Sequence, residues 1–229
     1  MLLYSKQRCA KWWTILTVAA CSAILLSNTV YFDGGPPPHF LLEKGDRARD
    51  PWWLAAFYFH VLGASICLAA GTPLMFPQWT RLYPAWHRRL GYVYLNAVLW
   101  VAAPSGLALA LAAKGGLWGT TGFTLAGALW WQTTWSGYRA IGRGDIIAHV
   151  RAMVRSYSWA LSAPAFRAIQ AVLFLFGLDD APNYIISLWL SIAASVWLAE
   201  SCLYRSRRSA MQFVVGQSPI AGVVSCTAR

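Results

Sequence analysis

Residues 52–76, WWLAAFYFHVLGASICLAAGTPLMF, decide the fold. The run holds no Asp, Glu, Lys or Arg, and a helix crossing the hydrocarbon core of a bilayer needs about 20 predominantly apolar residues. Hydrocarbon cannot hydrogen-bond a backbone, so a run of this kind must satisfy its own peptide groups as a helix. Working outward, five more apolar runs occupy residues 12–32, 90–113, 118–138, 152–176 and 184–204, with charged or Gly/Pro-rich segments between them. Composition agrees. Of 229 residues 58% are hydrophobic and 12% charged, whereas soluble domains carry about half and about a quarter. The 14 Trp suit the boundary between acyl chains and headgroups. The expected fold is all-α, a polytopic membrane helical bundle of about six transmembrane helices, integral to the bilayer and multi-pass.

Orientation follows from charge. With six spans, Lys6, Arg8, Lys11, Arg81, Arg88, Arg89, Arg139, Arg143, Arg151, Arg155, Arg205, Arg207, Arg208 and Arg229 fall on the side of the termini; Lys44, Arg47, Arg49 and Lys114 fall on the other. Basic residues accumulate on the cytoplasmic side, so about fourteen against four predicts both termini cytoplasmic. The expected organisation is a basic N-terminus over residues 1–11, the membrane domain over 12–204 and a disordered tail over 205–229. A net charge of +11 could suggest nucleic acid, but the cations lie in short turns rather than on one soluble face, which argues for anionic headgroups instead. Cys9, Cys21, Cys67, Cys202 and Cys226 include no C-x-x-C pair and suggest no disulfide framework. No H-E-x-x-H, G-x-S-x-G or phosphate loop is present.

Ionisable side chains at membrane depth are costly, and are the first places to look for function. Two layers stand out. Counted from the outer ends of their spans, His60 and Arg167 both lie roughly 12–15 Å deep at 1.5 Å per residue, with Gln170 one turn above Arg167. At the basic edge are His87, His149 and Glu200, with Arg155 or Arg151 as an ion-pair partner for the glutamate. Five helical turns separate His149 from Arg167, which puts both on one face with Ser156, Ala160 and Ala163. His60, Cys67 and Gly71 make a small-residue face on the second span. Pro104 and Pro164 lie within spans, where a kink or a lined cavity accounts for them. His87 and His149 could equally snorkel to the interface.

Three chemistries fit these residues. Two histidines on different helices can hold a haem b iron axially, with Arg155 neutralising a propionate; His60 and Arg167 would then form a quinone or small-anion site. Alternatively His60 is the acid or base, and Arg167 the anchor, of an enzyme acting on a lipid or isoprenoid substrate. A non-catalytic transporter or interaction protein is the third.

The stretches His60-x-x-Gly63, His87-Arg88-Arg89-Leu90-Gly91-Tyr92-Val93-Tyr94 and Arg139-Ala140-Ile141-x-Arg143-Gly144-Asp145, followed by His149, Arg155-Ser156-Tyr157 and Arg167, resemble the predicted membrane proteins called domain of unknown function 2306. The likeness runs over about residues 57–200. It implies a helical membrane fold and marks His60, His87, His149, Arg167 and Glu200, without supplying a reaction. The architecture is also similar to the b561-type cytochromes, although the fourth span lacks the histidine those proteins carry.

Overall fold

A computed structural model describes residues 18–35, 38–178 and 180–216, and these are helical with no strand among them. Among the described residues, four helices are long and apolar enough to cross a membrane. In chain order the elements are α1 (Val18–Tyr31), α2 (His39–Lys44), α3 (Pro51–Leu74), α4 (Pro77–Leu82), α5 (Pro84–Ala110), α6 (Gly116–Gly142), α7 (Ile146–Leu175) and α8 (Asp180–Gly216). The four long apolar ones are α3, α5, α7 and the Ala181–Tyr204 part of α8. Helix α6 has 27 residues, about 40 Å of helix. It packs between α5 and α7 in the same bundle, and Thr120, Thr121, Gln132, Thr133 and Thr134 lower its hydropathy. Residues 1–17 and 217–229, including the start of the first span and the end of the tail, lie outside the described residues.

Helix starts follow local chemistry. Asp50 accepts from the Trp52 amide at 3.0 Å and Pro51 opens α3, an N-cap followed by the residue whose missing N–H costs nothing there. Gly144, at φ +74°, turns the chain between α6 and α7, and Asp145 caps α7 through the Ala148 amide at 2.8 Å. Helices α5 and α7 begin before their apolar runs do, taking in charged first turns. Helix α8 continues through Gly216, past the expected end at Tyr204, because no glycine or proline interrupts residues 205–215.

The five-turn count from His149 to Arg167 assumed an unbroken helix. Instead α7 is interrupted at Leu161, between Ile146–Ala160 and Ser162–Leu175. Pro164 has no N–H to offer the preceding turn. Helix α5 is irregular as well, with a π turn over Ala97–Ala102 just before Pro104.

Between helices the hydrophobic effect is weak in lipid, so close packing and hydrogen bonds hold the bundle. Tyr94 and Ser156 hydroxyls pair at 2.8 Å, Ser156 and Thr134 at 2.6 Å, and Thr72 and Tyr157 at 2.6 Å. Trp130 Nε1 donates to the Tyr94 oxygen at 3.3 Å. These bonds join α3, α5, α6 and α7, each contributing about 0.5–1.5 kcal/mol. On α8, Asn183, Ser187, Ser191 and Ser195 recur every fourth residue and are all buried. Gly71 is where the tyrosines cross α3: a Cβ there would meet the Tyr157 ring at 2.6 Å and Tyr94 at 3.0 Å.

Gly71→Val is therefore expected to destabilise the folded protein by about 1–3 kcal/mol, read as a fall in detergent melting temperature. Gly91→Ala, whose methyl would meet nothing within 4 Å, should leave it unchanged or slightly raised. Equal melting temperatures for the two would contradict this packing.

Candidate intramembrane binding site

A cavity of about 700 Å³ lies among α3, α5, α6, α7 and α8, within the range that small-molecule sites occupy. Both helix interruptions border it, through Ala102 and Ala103 on α5 and through Ala160, Ser162 and Ala163 on α7. Irregular backbone at membrane depth is tolerated where it lines such a space or is buried in protein. Leu68, Trp130, Trp159, Leu188 and Ile192 form much of its apolar wall. At the end away from the basic turns, Phe40, Glu43 and Lys44 of α2 join the lining, and Lys114 donates to Glu43 at 2.5 Å.

His60 and Arg167 both line this cavity. The imidazole Nδ1 of His60 donates to the Ala102 carbonyl, in the π turn, at 2.8 Å. A carbonyl only accepts, so the neutral ring keeps its proton on Nδ1 and leaves Nε2 a lone pair. Gly106 makes room, since a Cβ there would come within 2.8 Å of the ring. Sequence spacing gives no hint of this seat.

Arg167 is the sixth residue of Ser162–Leu175, eight residues or about 12 Å from its end. Ala160, Ala163, Arg167 and Gln170 recur along the cavity wall at three- and four-residue spacing. Arg167 has no ion pair or hydrogen bond with another described residue, and a guanidinium at mid-helix depth costs about 2.5–3.5 kcal/mol on insertion scales. Tyr184, packed on Phe123 and Phe166, is within electrostatic reach of Arg167, Glu43 and Lys114. Lys44 is part of the same mouth. Its ammonium is held below the usual lysine range first by burial, with Arg47 and Lys114 adding to the effect and Glu43 opposing it.

The basic-edge residues have local partners. His87 Nδ1 pairs with Thr80 Oγ1 at 3.1 Å, tying α4 to α5. His149 Nδ1 donates to the Gly137 carbonyl at 2.9 Å, closing the hairpin between α6 and α7. Arg155 Nε donates to Glu200 at 2.7 Å, in a half-exposed pair. The two imidazoles are close enough to interact electrostatically. The hollow beside His87 holds about 10 Å³ and has no wall from His149. Among the described residues no three His, Cys, Asp or Glu side chains group as a metal site.

Long apolar helices, polar seams turned inward and a lined cavity define an integral, multi-pass helical membrane protein. Residues 57–203 match the model of the predicted membrane protein family DUF2306, and the chain belongs to that family. The match runs from α3 to α8 and includes His60, His87, His149, Arg167 and Glu200, with α1 and α2 outside it. No curated protein and no solved structure matches the chain.

Proposed function

We propose that the protein binds a lipophilic small molecule with a polar head inside the membrane, in the cavity shared by His60 and Arg167. A quinone and an isoprenoid or other lipid both belong to this class. The carrying observation is that the two ionisable groups at membrane depth line one cavity of about 700 Å³ with apolar walls. A polar head would meet Arg167, Gln170 and Tyr184, while the tail lies along Leu68, Trp130 and Leu188. The lone pair on His60 Nε2 favours an enzymatic form of the same reading, in which the imidazole accepts a proton from the bound molecule.

The test uses purified protein in phosphatidylcholine nanodiscs, titrated with decyl-benzoquinone and with dodecyl phosphate. Trp53, Trp130 and Trp159 line the cavity, so binding should change tryptophan fluorescence. At least one probe is expected to saturate. Ala64→Phe, which fills the wall one turn beyond His60, should weaken that probe about tenfold, the scale of one lost hydrophobic fit. If neither probe saturates, or the variant binds as well as the parent while remaining folded, the cavity is not a binding site.

A further inference from the structure

We infer that the occupant is an anionic amphiphile, with a phosphate or carboxylate head held by Arg167 beneath Lys44 and a single tail directed between Leu68 and Trp130. This rests on the reading of the cavity as a binding site, and adds the charge and direction of the ligand.

The argument starts from Arg167. A guanidinium is charged at any accessible pH and presents a planar fork of donors that matches an oxyanion in two places at once. Arg167 borders the cavity while remaining exposed, and has no anion among the described residues. The carboxylate at the same mouth, Glu43, is engaged by Lys114. Lys44 adds a second cation to the lining, its ammonium lying 5.3 Å from the Phe40 ring centroid. The Gln170 amide and the Tyr184 hydroxyl bring neutral hydrogen-bonding groups to the Arg167 wall.

A neutral quinone would leave that charge uncompensated, while an oxyanion would neutralise it and accept from the amide and hydroxyl. The rest of the cavity sets the other half of the ligand. Its walls toward Leu68, Trp130, Leu188 and Ile192 are apolar, so inorganic anion alone would leave them with nothing to bury. The ligand is then a lipid-like acid, held with its head at the α2 end.

The experiment compares dodecyl phosphate, laurate, decyl-benzoquinone and inorganic phosphate on the full-length protein in phosphatidylcholine nanodiscs, with Arg167→Gln, Arg167→Lys and Lys44→Gln alongside. Either acidic amphiphile should bind at least tenfold more tightly than the quinone or inorganic phosphate. Arg167→Gln should weaken it about tenfold or more, the usual scale for losing a hydrogen bond to a charged group, with Arg167→Lys retaining part of the affinity. Lys44→Gln, outside the spans, should weaken it a few-fold and guards against a folding defect in the membrane variants. Unchanged acid binding in both Arg167→Gln and Lys44→Gln, or a preference for the quinone, would overturn the head-group assignment and leave the binding cavity standing. Equal affinity for inorganic phosphate and dodecyl phosphate would overturn the tail, making the ligand a free anion. Binding of none of the four would overturn the cavity reading along with this one.

Discussion

A backbone carbonyl released in the middle of a membrane must find a donor inside the protein, and the candidate site borders a turn where this happens. Pro104 brings no N–H to the turn before it, and in that turn the Leu99 carbonyl accepts from Trp131 Nε1 at 3.2 Å. The Ala102 carbonyl takes the His60 imidazole at 2.8 Å and Ser105 Oγ at 3.3 Å. The irregular turn is thus tied to α3 and α6 at once. The second interruption, at Leu161 before Pro164, is followed by the segment that brings Arg167 and Gln170 to the cavity wall.

Below the cavity the bundle is held by hydroxyl groups. Tyr94, Ser156, Thr134, Thr72 and Tyr157 satisfy one another where hydrocarbon would leave them costly, and Gly71 allows the rings to approach α3. This tight half and the open half above it share α3, α5 and α7. Rigid packing on one side lets the polar lining on the other keep its positions, which is the condition for a site rather than a defect.

The helices were legible because apolar runs and the charges between them are compositional. The places of His60 and Arg167 in the interior of their helices were legible by counting residues. The stripe through Ala160, Ala163 and Arg167 does run along one wall, whereas the π turn that seats His60 leaves no mark in the sequence beyond a nearby proline. The hydroxyl network was partly visible as a small-residue seam through Ser156 and Gly71. Asn183, Ser187, Ser191 and Ser195, at fourfold spacing on α8, are a signal that a search for apolar runs does not weigh. At the basic edge, His87, His149 and Arg155 each have a local partner. His149 closes a hairpin whose glycine and aspartate belong to the same motif, and Arg155 meets Glu200.

Helices α5 and α7, each interrupted shortly before a proline, border a ligand-sized space lined by His60 and Arg167. An experimental density map of the protein in nanodiscs, resolved to side chains, tests this arrangement most directly. It should show both side chains facing one volume that contains elongated non-protein density, with His60 on the Ala102 carbonyl. Helices closed upon each other there, with Arg167 directed into the acyl chains, would contradict it.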